Sequence, residues 1–206
     1  MTGHRPLDRA ELPEDTAALA RYLIGKVAVR ELPEGIVSGR IVETEAYVVG
    51  DAAGHAFRGM TRRNRSLFLA PGHAYIYIAY GISFMLNVAS ETEGIGAGVL
   101  IRALEPAAGL EQMRARRGGR PDHELCSGPG KLTEALGIGL EWNGAELTRQ
   151  PFGLAEPAPE WERAEVVASP RIGITKATER PWRFSAAGSR FVSRPRPRQP
   201  APASGR

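Results

Sequence analysis

Between Tyr75 and Asn87 the chain reads Tyr-Ile-Tyr-Ile-Ala-Tyr-Gly-Ile-Ser-Phe-Met-Leu-Asn, and this stretch narrows the fold more than any other. Two β-prone runs flank Tyr80-Gly81, where glycine supplies the turn geometry that a hairpin needs. An antiparallel sheet is therefore expected around it, with Tyr80 at a tip that offers little protein to pack on. Ile36 to Tyr47 predicts a longer strand that ends in Ile41-Val42-Glu43-Thr44-Glu45-Ala46-Tyr47. Strict alternation puts Ile41, Glu43, Glu45 and Tyr47 on one face and Val42, Thr44 and Ala46 on the other. Two carboxylates and an aromatic ring then share the end of one strand.

The remaining elements follow from local signals. Leu12-Pro13-Glu14-Asp15 opens a helix that Gly25 closes, Lys26 to Arg30 reads as a short strand, and Pro33-Glu34-Gly35 as a turn. Gly50 to Met60 has loop composition and contains His55. Asn64 to Leu69 forms a helical turn that Pro71-Gly72 stops. Ile82 to Ala89 and Gly98 to Leu104 pair across a glycine-rich loop, and Glu105-Pro106 ends the second of these strands. Gly109 to Arg117 is a helix with a basic last turn, suited to its dipole or to a phosphate. Ser127-Gly128-Pro129-Gly130-Lys131-Leu132 opens another, with Lys131 and free backbone N–H groups at its start. Gln150 to Trp161 reads as proline-rich loop, and Val166 to Ile174 and Trp182 to Phe184 as weak strands.

Charge matters through its distribution. The net charge is +4, but the segment from Arg190 to Arg206 holds five arginines and no acid, leaving 22 of the 27 basic residues against 23 acidic ones. The body thus carries a net −1, and any nucleic-acid footprint must be a local patch. One exists: from Ala52 to Ser90 there is no Asp or Glu, yet Arg58, Arg62, Arg63 and Arg65 all fall there. With 206 residues, 42% of them hydrophobic, one well-buried core is expected. Cys126 stands alone, which excludes an intrachain disulfide and a cysteine-based metal site. No apolar run approaches the ~20 residues of a membrane span, so a cytoplasmic protein with no membrane partner is expected, nucleoid-associated if bacterial.

Each candidate residue has a plainer explanation beside the chemical one. Glu45, beside a tyrosine at a strand end, can orient and deprotonate a water, though an isolated Glu-x-Glu also suits a solvated strand face. Tyr47, Tyr75 and Tyr77 read equally as cross-strand aromatics. Asn87, between Leu86 and Val88, needs hydrogen-bond partners and can read a ligand edge, or be satisfied by water or backbone. Tyr80 beside an acid-free arginine region is what a protein needs to enter a stacked duplex and hold the gap of a displaced base. A subunit contact would use it too. There is no zinc-deaminase or zinc-hydrolase ligand spacing, no nucleophile elbow and no nucleotide-binding fingerprint. A metal-free, cofactor-free carboxylate mechanism is the simplest enzyme reading. A non-catalytic DNA-damage-binding protein and a hydrolase of free nucleosides or glycosides are the alternatives.

In order and spacing the residues resemble the alkyladenine DNA glycosylases, also called 3-methyladenine or methylpurine-DNA glycosylases, of the mammalian type. The resemblance rests on Arg40-Ile-Val-Glu-Thr-Glu-Ala-Tyr47, Arg63-Asn-Arg65 with Phe68, Pro71-Gly72, Tyr75-x-Tyr77-x-x-Tyr80-Gly81, Asn87, Leu100-Ile-Arg-Ala-Leu-Glu-Pro106 and Glu124-Leu-Cys-Ser-Gly-Pro-Gly-Lys-Leu132. It implies a single mixed α+β domain over residues 1–193, with a curved antiparallel sheet flanked by helices and a protruding hairpin. Residues 194–206 are expected as a disordered basic tail. The family's catalytic glutamate falls on Glu45, its base-pocket residues on Tyr47, His55, Tyr77, Asn87 and Arg102, and its intercalating tyrosine on Tyr80. Arg63, Arg65 and Lys131 match basic positions expected to meet the DNA backbone. The loop from Tyr47 to His55 is shorter than in the mammalian proteins, and Ile82-Ser83 replaces bulkier residues beside the wedge. The implied activity is excision of alkylated or deaminated purines from double-stranded DNA; with no lysine in the motif core to form a Schiff base it is expected to be monofunctional, and the protein to act as a monomer without cofactor or metal.

Overall fold

The longest strand organises the structure, a computed structural model that describes residues 5–159, 161 and 164–196. This strand, β2 (Gly35–Tyr47), follows β1 (Val27–Leu32) across a tight turn. β3 (Ala74–Ala79) and β4 (Ser83–Ala89) form the hairpin, and β5 (Gly98–Ala108), β6 (Phe152–Ala155), β7 (Val166–Ser169) and β8 (Arg183–Ala186) complete one antiparallel sheet. Its main order is β3-β4-β5-β2-β1-β6, while β8 pairs with both β2 and β7. The edge of β2 opposite β5 is thus covered twice, by β1 along its first half and by β8 at Glu43, Thr44 and Glu45. A carboxylate-bearing strand end is thereby enclosed on both sides, as it would not be at a sheet edge.

Helices cover one face of this curled sheet, giving the single α+β domain that the sequence predicts. They are α1 (Thr16–Tyr22), α2 (Leu110–Arg116), α3 (Asp122–Leu125) and α4 (Pro129–Leu136). The predicted first helix begins at Asp15, whose side chain caps the Ala18 N–H. Leu19, Leu23, Met113, Leu132 and Leu136 pack from these helices onto Val37, Ile41, Ala46, Leu86, Val99 and Ile101 of the sheet. The basic last turn of α2 is consumed internally: Arg114 pairs with Asp122, Arg116 with Glu34 and Arg117 with Glu134.

Three expectations are corrected. Ile41 does not share a face with Glu43, because β2 and β5 each carry an extra residue: Ile41 pairs with Leu104, Glu43 with Ala103 and Thr44 with Ile101. Val42 is bulged on β2 and Arg102 on β5. Ile41 and Ala46 therefore join the helical core and Thr44 bonds the Ala20 carbonyl, while Val42 turns to a smaller cluster with Ala103, Phe191 and Val192. Alternation counts residues and cannot see an insertion in one strand of a pair. Second, β5 continues through Pro106 to Ala108. Proline is tolerated there because β4 pairs β5 no further than Leu100, and the register slips between Gly39 and Ser38 beside it. Third, Phe152–Ala155 is a strand within the supposed proline-rich loop, with Phe152 and Leu154 filling the core. Gly153 lets it close on its neighbours, since a Cβ there would sit 2.6 Å from the Arg149 carbonyl oxygen.

Candidate active site

Cross-strand pairing places the predicted residues in one row. Tyr75 faces Asn87, Asn87 faces Leu100, Leu100 faces Glu45, and Glu45 faces Arg183. Paired residues project to the same side of a sheet, so hairpin and carboxylate strand address one face, opposite the helices.

Glu45 and Glu43 are fully buried. Glu45 Oε2 accepts from the Tyr47 hydroxyl at 3.0 Å and from an Arg102 guanidinium nitrogen at 3.1 Å, and Oε1 accepts from the Ile172 backbone N–H at 2.8 Å. Glu43 Oε1 accepts from Arg102 Nε at 3.0 Å, Arg183 Nε at 2.6 Å and the Ser193 hydroxyl at 2.8 Å, and Oε2 from the Ser193 N–H at 2.7 Å. Two carboxylates thus balance two guanidinium groups. Burial by itself would lower the Arg102 pKa, but Glu45 and Glu43 raise it. Burial and then the charge of Glu45 raise that of Tyr47, so its hydroxyl stays protonated and donates.

In front of this cluster lies a cleft of about 200 Å³, lined by Tyr47, His55, Leu67, Tyr75, Tyr77 and Asn87, with Gly173 and Ile174 closing it. His55 lies 4.4 Å from the Tyr77 ring centroid, edge-on, and its Nδ1 is 3.0 Å from the Tyr75 hydroxyl. Tyr75 and Tyr77 stack at 5.4 Å. Desolvation and the charge of Arg63 lower the His55 pKa, keeping its ring neutral at pH 7, while burial pushes Tyr75 up to about 12. The Asn87 amide nitrogen donates to the carbonyls of Tyr75 at 3.1 Å and Met85 at 3.3 Å, which fixes the amide orientation. At Gly98 a Cβ would come within 2.7 Å of Leu67, so only glycine lets Leu67 form the cleft floor.

The structure thus brings Tyr47, His55, Tyr77 and Asn87 together around one cleft, with Glu45 and Arg102 directly behind Tyr47. Tyr80 stands apart at the hairpin tip, 90% exposed, with φ 52° in the left-handed region; Ile82 beside it is 86% exposed. Arg63 donates to the Ile78 carbonyl at 3.3 Å along the hairpin. Arg65 is exposed, and Lys131 lies in the first turn of α4, where Gly130 packs on Ser83, which pairs with Ala79 next to the hairpin turn. Among the described residues neither Arg65 nor Lys131 has an ion-pair partner.

Sequence reasoning missed the donors that hold the carboxylates. Ser193, Arg183 and Ile172 are remote in the chain, and the one sequence signal for any of them is the charge of Arg183 inside the weak strand candidate Trp182 to Phe184. Ser193 also bears on the predicted tail: the Arg183 guanidinium bonds the carbonyls of Ser193 and Pro195, so residues 194–196 adjoin the buried cluster. Residues 197–206 of that tail lie outside the described residues. A protein ending at Arg196 is expected to melt with the full chain. One ending at Arg190 loses both Ser193 bonds to Glu43 and should be less stable by at least about 3 kcal/mol, given ~1.5–3 kcal/mol for each bond to a charged group. Thermal melts of the two truncations check this, and equal melting temperatures would refute it.

Among the described residues no group of three or more His, Cys, Asp or Glu side chains is placed to hold a metal, and no helix is long and apolar enough to cross a membrane. A family model described as methylpurine-DNA glycosylase matches residues 10–190. A protein of Mesorhizobium japonicum carrying the provisional name 3-methyladenine DNA glycosylase is 62% identical over 194 residues, covering 94% of this chain and 92% of the relative. Proteins of the same name from Paraburkholderia phytofirmans and Methanoculleus marisnigri are 49% and 48% identical over 200 and 190 residues. These cover 97% and 91% of this chain and 93% and 98% of the relatives.

Proposed function

This chain belongs to the methylpurine-DNA glycosylase family, DNA-repair enzymes that hydrolyse the N-glycosyl bonds of alkylated bases, and from that premise we propose how its cleft does so. The substrate is a damaged purine flipped from double-stranded DNA, with 3-methyladenine, 7-methylguanine, hypoxanthine and ethenoadenine as candidates. The enzyme acts as a monomer and needs no metal. One observation carries this reading: a buried, hydrogen-bonded carboxylate lies directly behind an aromatic cleft whose sheet also carries an exposed tyrosine wedge.

Glycosylases as a class extrude the target base at a cost of a few kcal/mol, less for a damaged one. Tyr80 fills the gap. The extruded purine stacks among Tyr47, Tyr77 and His55, whose ring faces favour the positive character of an alkylated base, and neutral His55 adds no repulsion. Asn87 stands against the N2 amino group of normal guanine. Arg102 and the Ile172 N–H hold the Glu45 carboxylate in place by donating to it, and from there it takes a proton from water and stabilises charge developing on the sugar. The water oxygen bonds to C1′, the glycosidic bond breaks, and its electron pair leaves with the base. Free base and an abasic site result. Among the described residues no lysine lines the cleft to form a Schiff base, so the proposed reaction leaves the strand intact.

Single-turnover assays on duplexes carrying one hypoxanthine, ethenoadenine or alkylated purine, with EDTA present, test this. Base release with strand breakage only after alkali supports it; tight binding without release would instead indicate a damage-binding protein. Tyr80→Ala is expected to cost about 1–3 kcal/mol of lesion-DNA binding, the worth of one base-aromatic stack. Its melting temperature should not move, because the ring is 90% exposed. A large drop in melting temperature would mean that the ring supports the fold.

A further inference from the structure

A second pair of charges is buried outside the Glu43 and Glu45 cluster. The side chains of Arg171 and Asp51 have no solvent exposure, and none of the chemistry above uses them. Both terminal nitrogens of Arg171 bind Asp51, one of them Oδ1 at 3.1 Å. The same guanidinium donates to the carbonyls of Ala46 at 2.9 Å and Ala177 at 3.4 Å. It also lies 4.6 Å from the Tyr47 ring centroid and 5.1 Å from that of Trp182.

This one group ties together Tyr47 and the two segments that wall one side of the cleft. Asp51 opens the loop whose Ala53, Gly54 and His55 wall the cleft, and it holds the Ala53 N–H at 3.0 Å. On the other side of the ion pair, in the loop after β7, Arg171 precedes Ile172, whose N–H binds Glu45, and Gly173 and Ile174, which close the cleft. Tyr47 is pinned twice, by its hydroxyl on Glu45 and by its ring on Arg171. Stability alone does not favour such an arrangement. A buried ion pair gains little over apolar side chains of similar volume, and Arg171 Nε is buried here without a partner among the described residues.

We propose that Arg171, held by Asp51, is a positioning residue for excision: it sets the Tyr47 ring against the flipped base and the Ile172 N–H against Glu45. The inference rests on Glu45 facing the reacting sugar. Lysine cannot replace Arg171, because a point charge lacks the planar fork that serves Asp51 and two carbonyls at once.

The test compares wild type with Arg171→Lys and with the apolar double variant Asp51→Leu/Arg171→Met. Two measurements are made: single-turnover release of hypoxanthine, and equilibrium binding to duplexes carrying a neutral tetrahydrofuran or a cationic pyrrolidine abasic analogue. The pyrrolidine bears charge where the sugar develops it, so its extra affinity reports the placement of Glu45 without any base. Both variants are expected to bind tetrahydrofuran DNA within about 3-fold of wild type, yet to lose roughly 10²-fold in release and most of the pyrrolidine preference, as for a small misplacement of reacting groups. The double variant is expected to fold but to melt below wild type, because the Ala53 N–H and the Ala46 carbonyl lose their partners; with release measured well below its melting temperature, it carries the test if Arg171→Lys does not fold. Wild-type release and pyrrolidine preference in the folded double variant would overturn the proposal, leaving the pair merely structural. A loss of tetrahydrofuran binding as large as the loss of release would overturn it too, by placing Arg171 in the grip on DNA. If wild type itself shows neither release nor a pyrrolidine preference, the role of Glu45 fails first and removes the premise.

Discussion

Replacing Glu45 with glutamine is expected to slow base release by about 10³-fold, within the range for loss of a general base that also faces developing positive charge, while lesion-DNA affinity changes little. In the proposed function the affinity is supplied by Tyr80, the exposed arginines and the ring cleft, none of which contacts the Glu45 side chain except Tyr47. The substitution is not structurally silent. All three partners of the carboxylate are donors: Tyr47, Arg102 and the Ile172 N–H. An amide has one oxygen, so its NH₂ group must face a donor, at a cost of about 1–3 kcal/mol. Release is therefore to be measured at saturating enzyme, well below the melting temperature. Wild-type release from Glu45→Gln would end the proposed role.

The second large effect is on stability. Arg102→Leu leaves two buried carboxylates with a single guanidinium, that of Arg183, which reaches Glu43 and not Glu45. Breaking a buried pair in this way costs about 3–5 kcal/mol, which for a chain of this size lowers the melting temperature by roughly 6–20 °C. The loss should shrink as pH falls. A carboxylate buried without its cation takes up a proton more readily than the same group in the unfolded chain, so the variant regains stability in acid. Melts across a pH series read both the size and the sign. A loss independent of pH would mean that packing, not charge, is what Arg102 supplies.

Much of this was legible in the sequence. The hairpin was, because Tyr75 to Asn87 carries β-prone residues on both sides of a glycine, and so was the strand that delivers Glu45. The base cleft became legible only through the family pattern, since Tyr47, His55, Tyr77 and Asn87 have ordinary cross-strand or loop explanations one at a time. What stayed hidden was non-local. Arg171 and Asp51 are separated by 120 positions, and Ser193 and Glu43 by 150. No periodicity links such residues, and a charge in an apolar run does not name its partner. Asp51 is the last acid before the acid-free stretch, yet nothing in that position tells a buried carboxylate from a solvated one. The bulges at Val42 and Arg102 were hidden for a different reason: each side chain is compatible with an ordinary strand, and only the pairing of two strands reveals the extra residue.

Those two bulges behave as a bound pair of lattice defects. Pairing is Ile41 with Leu104 on one side of them and Thr44 with Ile101 on the other, the same alignment, because the residue inserted in β2 is cancelled by the one inserted in β5. Either insertion alone would displace every contact beyond it, whereas together they leave the outer strands undisturbed. Between them the sheet turns an arginine to the side where it meets both glutamates. Removing Val42 or Arg102 singly should therefore act as a dislocation running to the strand end. Removing both should heal the sheet and erase only its chemistry.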